Sequence, residues 1–135
     1  MATTPNYAGT PKANWNANNI LAANTTKDGT GTIETIFTAG TNGSKVSSIT
    51  IRPKGTNVQT VMRFWLNNGG ANATAANNTY LGEVTLAATT LSESAQLSPT
   101  DFTVNRDIPA GYKVNVTIGT AVAAGFGVTA FGWDL

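Results

Sequence analysis

From Ile33 to the C-terminus, apolar and polar side chains alternate in short runs, and Gly, Asn, Pro or Asp interrupts them roughly every 10 to 15 residues. Successive side chains of a strand point to opposite faces, whereas a helix needs a period of about 3.6 residues. The pattern therefore restricts the chain to short strands joined by turns. No segment keeps a helical period.

The alternation places the strands. A polar, Pro-marked arm runs from Met1 to about Trp15, and a first short strand is expected around Asn19 to Ala23, before the turn-rich Thr26-Lys27-Asp28-Gly29. Ile33, Ile36 and Phe37 mark the next strand. The stretch Ala39 to Ser44 contains Asn42-Gly43, a pair that tolerates positive φ, and it leads into Val46 to Arg52, where Ile49 and Ile51 share a face. Pro53 ends that strand or marks an edge. Thr60 to Asn67 carries large groups on both faces, Met62, Phe64 and Leu66 on one and Val61, Arg63 and Trp65 on the other, so cover is expected on both sides.

Between Asn67 and Asn78 lies a run of Asn, Gly, Ala and Thr with nothing to anchor a core, expected to be exposed and mobile. Tyr80, Val84 and Leu86 resume the alternation. Ala87 to Thr100 is irregular, with a short strand or helical turn near Leu91 to Leu97, and Phe102 and Val104 follow. Val114, Val116 and Ile118 line one face, as do Phe126, Val128 and Ala130. About eight antiparallel strands with unequal connections suit an all-β, two-sheet sandwich, jelly-roll-like, better than an up-and-down barrel. The expected organisation is an extended N-terminal arm over residues 1–18 and one sandwich domain over residues 19–135.

Composition narrows function. The 135 residues include no His and no Cys, and only 11% are charged. Nearly every side chain suited to acid/base, nucleophilic or metal chemistry at neutral pH is missing or isolated, so neither an enzyme nor a cofactor is expected. A net charge of +1, spread singly, gives no field for nucleic acid. No apolar stretch is long enough to cross a bilayer, and the first residues lack a secretion-signal pattern, so no membrane partner is expected.

Three stretches carry a resemblance: KDGTGTIETIFTAGTNGSKVSSITI over Lys27 to Ile51, VMRFWLNNGG over Val61 to Gly70, and IPAGYKVNVTIG over Ile108 to Gly119. Together they resemble a widespread group of small tailed-phage and prophage proteins. Members open with a Met-Ala arm of small residues, carry a DGTGT turn before Phe-Thr-Ala-Gly, and finish with a Pro-Ala-Gly-Tyr turn and a glycine-rich strand. The likeness spans most of the chain from about Asn24, and it rests on turn residues and alternation. The Asn-rich loop at Asn67 to Asn78 and the Trp15 arm depart from the group's form. The resemblance implies a virion structural role, namely a capsid decoration or cement protein on the outer capsid surface. Its partners would be the major capsid protein and further copies of itself, a homotrimer by preference. A tail, fibre or adaptor component of the virion would use the same fold, and a carbohydrate-binding attachment module is a third reading.

The residues expected at interfaces are Trp15, Trp65 and Trp133, with Tyr7, Arg63 and Phe131 beside them, because large aromatics dominate interface energetics once buried. The same tryptophans would serve the third reading as a sugar-stacking platform. Asp28, Asp101, Asp107 and Asp134 are too far apart in sequence for a calcium loop and are expected to cap turns. Glu34 and Glu83 are expected at outward positions on different strands, which does not suit a glycosidase pair. Gly29 and Gly31 are read as a turn and not as a phosphate loop.

Overall fold

In the computed structural model, which describes residues 9–135, the alternating runs form eight strands. They are β1 (Thr10–Trp15), β2 (Glu34–Thr38), β3 (Ser44–Pro53), β4 (Thr60–Asn67), β5 (Asn78–Leu86), β6 (Thr100–Ile108), β7 (Lys113–Ile118) and β8 (Phe126–Asp134). Sheet I has the order β1-β8-β3-β6 and sheet II the order β2-β7-β4-β5, and every neighbouring pair is antiparallel. Only the β4–β5 connection stays within one sheet, while the other six cross between sheets. Eight strands wound this way make a jelly roll.

The alternation decides which faces meet. Val114, Val116 and Ile118 of β7 stand in register with Leu66, Phe64 and Met62 of β4. Opposite them, sheet I contributes Val46, Ile49, Ile51, Phe126, Val128 and Ala130, all buried. Phe102 of β6 stacks on Phe64 with ring centroids 4.3 Å apart, closing the core at the β5/β6 side. Among the described residues no helix is long and apolar enough to cross a membrane.

Three expectations change. The first strand is Thr10–Trp15, within the segment read as arm, and not Asn19 to Ala23. The inward face of β1, Lys12 and Asn14, has no apolar residue to betray it. Its inward Lys12 lies with Nζ 4.9 Å from the Phe37 ring centroid, and its outward residues include Pro11, which suits an edge strand. Of the Asn19 to Ala23 segment only Ala23 bridges to Ile118. The first eight residues of the expected arm, Tyr7 among them, lie outside the described residues.

Residues Leu91 to Leu97 form neither strand nor helix, and Leu91 is exposed; the connection that contains them crosses between the sheets and is tied at Thr89, which bridges to Asn57 and donates its hydroxyl to the Gly55 carbonyl at 3.1 Å. Glu34 pairs in register with inward-facing Val116 and is not outward, because the strand shifts register between Thr35 and Phe37. There, at the sandwich edge, the backbone N–H of Asn18 donates to its carboxylate at 3.0 Å.

Candidate functional site

The two outer faces of the sandwich differ. On sheet II, Trp65, Asn115 and Thr117 point away from the core, yet they are 3%, 0% and 2% exposed. Two loops cover them. Residues 24–32 leave the sheet edge, run over this face and return, while residues 68–77 fold back from the β4–β5 connection. The loops meet where Asn78 Nδ2 donates to the Gly29 carbonyl at 2.7 Å.

Asparagine side chains hold this cover in place. Asn72 Oδ1 accepts from Lys113 Nζ at 2.7 Å and from Asn115 Nδ2 at 3.3 Å, and Asn72 Nδ2 donates to Thr35 Oγ1 at 2.9 Å. Asn115 Oδ1 accepts from the Thr35 hydroxyl at 2.8 Å. Asn24 ties the two legs of the other loop by donating to the carbonyls of Thr30 and Thr32. Asn67 Oδ1 accepts from Gly69 N at 2.8 Å and its Nδ2 donates to Asn78 Oδ1 at 2.9 Å. The Asn-rich stretch is exposed at Ala71 and Ala73 to Ala76, as expected, but it is pinned and not a free loop. Trp65 completes the layer, its Nε1 donating to Thr117 Oγ1 at 3.2 Å and its ring meeting the edge of Tyr80 at 5.6 Å. Arg63 pairs with Glu83 at 3.1 Å on the same side. Partial desolvation and the Glu83 carboxylate push the Tyr80 hydroxyl above its ordinary pKa.

Among the described residues, the outer face of sheet I has no such cover. Trp15 is 66% exposed and Phe131 is 44% exposed. Trp15 stands opposite Thr129, Ala13 opposite Phe131 and Pro11 opposite Trp133, so the three aromatics run diagonally over about 14 Å of sheet. Trp133 is half-buried. Lys45 Nζ lies 5.4 Å from its ring centroid, and the backbone of Gly9 presses against the indole so closely that a Cβ there would come within 2.1 Å of Cδ1. Gly9, the first described residue, thus lies at the Trp133 end of this face. Further along, Thr50 on β3 donates to Asp101 at 2.7 Å.

At the same end a polar clamp joins the first and last strands. Asp134 accepts from the Ser44 hydroxyl and from Lys12 Nζ at 3.0 Å, Lys12 also reaches the Thr38 carbonyl, and Ser44 Oγ accepts from Gly40 N at 2.9 Å. The Ser44 hydroxyl, and after it Lys12, hold the Asp134 carboxyl below the usual range. Asp28 caps its own turn as expected, accepting from the N–H and hydroxyl of Thr30, which lower its pKa. Asp101 and Asp134 do not cap turns, because both are in strands and accept across the sheet.

The structure therefore brings Trp15, Phe131 and Trp133 onto one face and puts Trp65 and Arg63 on the opposite one. Glu34 and Glu83 lie on the outer strands of sheet II, three strand spacings or about 14 Å apart in backbone. The described residues contain no cluster of three or more metal-ligating side chains. A recess of about 520 Å³ at the loop end is lined by Thr56, Val58, Ala88, Thr90, Ala121 and Ala123, with no acid or base among them.

Sequence reasoning missed the buried asparagines. Asn16 extends the β1–β8 ladder with its side chain, accepting from Val128 N at 2.9 Å and donating to the Phe126 carbonyl at 3.1 Å. Asn57 does the same for the loop end, between Gly125 O and the backbone N–H groups of Ala124 and Gly125. Their only signal was the excess of Asn itself. No protein-family model, curated protein or solved structure matches the chain.

Proposed function

We propose that the protein is a virion structural protein of a tailed phage or prophage, a capsid decoration (cement) protein that self-associates on the outer capsid surface and binds the major capsid protein. The observation that carries the reading is the contrast between the faces: loops cover Trp65, Asn115 and Thr117 on one and leave Tyr80 open at its edge, whereas the other leaves Trp15 and Phe131 exposed on the same face as Trp133, against which Gly9 packs. Aromatics left open on a rigid sheet are what an assembly contact uses, and large exposed apolar groups mark interaction sites. Eight-stranded jelly rolls occur in viral capsid and lectin domains, which supports the reading by analogy of fold.

A cement protein ties neighbouring shell subunits at a symmetry axis, for which a symmetric oligomer, a trimer by preference, and an arm reaching the next subunit are suited. The small net charge agrees with a place outside the shell, away from packaged DNA. Particles lacking the protein should assemble but release DNA at lower temperature, since each bridging copy adds a small binding term that sums over the lattice. Unchanged thermal release of DNA would refute cementing. Recovery of the protein only in tail fractions would place the same fold in an adaptor or fibre, and binding of the free protein to host glycans, lost on Trp15→Ala, would favour the attachment module.

A further inference from the structure

Two Asn-Gly pairs, Asn42-Gly43 and Asn68-Gly69, lie in turns at the same end of the sandwich, where β7 begins between Thr38 and Asn67. Such a pair carries its own route to chemical change. The glycine nitrogen attacks Asn Cγ, a five-membered imide closes, the Cγ–Nδ2 bond breaks, and ammonia leaves with the proton of the attacking nitrogen. Water then adds to either imide carbonyl and breaks its bond to the ring nitrogen, leaving aspartate or isoaspartate. Glycine favours the attack because no Cβ shields its nitrogen. The side-chain amide must be free to turn onto that nitrogen, and the nitrogen must not be tightly held.

The two pairs differ chiefly in the freedom of the asparagine side chain, since both glycine nitrogens are hydrogen-bonded. The Asn68 amide is engaged at each end, Oδ1 accepting from Gly70 N at 3.0 Å and Nδ2 donating to Asn77 Oδ1 at 3.4 Å, and Gly69 N donates to Asn67 Oδ1 at 2.8 Å. Asn42 is exposed, and its side chain bonds to no other described residue. Gly43 N donates to the Gly40 carbonyl at 3.1 Å, the weaker restraint. We propose that Asn42 is a site of spontaneous deamidation and that the folded structure spares Asn68.

The position gives the modification a consequence. Gly43 has φ of +88°, a Cβ there would lie 2.8 Å from the Ile108 carbonyl, and its own carbonyl accepts from Leu135 N at 3.0 Å. The next residue, Ser44, holds Asp134. Isoaspartate at position 42 lengthens the backbone by a methylene in this confined turn, which loosens the grip on Leu135 and on the clamp. Asn42 thus acts as a slow clock on the C-terminal end of β8.

The experiment incubates the full-length protein in warm, mildly alkaline buffer and maps deamidated peptides by mass spectrometry, with a parallel sample unfolded in urea. The expected result is several-fold more conversion at Asn42 than at Asn68 in the folded protein, and similar conversion at both sites in urea. In aged protein the Leu135 amide proton, which Gly43 O accepts, should also exchange with solvent several-fold faster than in fresh protein, and Asn42→Gln should abolish that increase. Equal or greater conversion at Asn68 in the folded protein, no conversion at Asn42, or the same preference in urea would each overturn the proposal.

Discussion

Trp65 and Trp15 both point away from the core, yet one is 3% and the other 66% exposed. Their strands do not explain the difference. Trp65 is covered because residues 24–32 and 68–77 fold over sheet II and are fastened there by Asn72, Asn78 and Asn24. Trp15 is open because, among the described residues, no loop is folded over it on the outer face of sheet I. In this sandwich an outward aromatic becomes a structural group or a surface group according to the loops, and a polar loop of asparagines can bury a tryptophan as well as an apolar one can.

The comparison breaks if substitutions on the two faces have similar effects. Trp65→Ala should lower unfolding stability by about 3–5 kcal/mol, and Trp15→Ala should change it by less than about 0.5 kcal/mol, both measured by urea denaturation. Asn72→Ala removes one of the two partners of Lys113 Nζ, which keeps the Gly70 carbonyl, and the partner of Asn115 Nδ2, on a residue with no exposure, and should cost about 2 kcal/mol. Equal stability of Asn72→Ala and the parent would mean that the loop merely rests on sheet II.

Asp134→Asn tests the clamp below the open face. It should cost about 1 kcal/mol at neutral pH, because the Lys12 pair is partly exposed. The folded carboxyl sits below its unfolded value near 3.9, so its contribution is complete above that pH and fades as pH falls through the folded value. Parent and variant stabilities should therefore draw together only as pH falls through the folded value, and a difference that persists at still lower pH would assign the effect to packing. On the open face, Trp15→Ala with Phe131→Ala should leave the urea midpoint almost unchanged but weaken self-association by about tenfold or more, read by sedimentation. Unaltered association would remove this face from the contact.

Much of the fold was legible. Inward sets such as Val114, Val116, Ile118 and Phe126, Val128, Ala130 stood out because a sheet with a buried face requires alternation. β1 was not, because an edge strand held by a ladder and by Lys12 over Phe37 needs no inward apolar stripe, and its apolar Pro11, Ala13 and Trp15 face outward. Of the expected interface residues, Trp15, Phe131 and Trp133 share one face, a juxtaposition set by the pairing of β1 with β8 that no local pattern encodes. Trp65 looked equivalent to them, since its cover comes from distant loops whose asparagines read as low complexity.

The most direct test of the account is to image intact particles and measure where this chain sits and in how many copies relative to the major capsid protein. The account predicts hundreds of copies at lattice axes, with Trp15 and Phe131 buried against a neighbouring subunit and the covered face of sheet II turned to solvent. Absence from the shell, or contacts made through the sheet II face with Trp15 left in solvent, would contradict it.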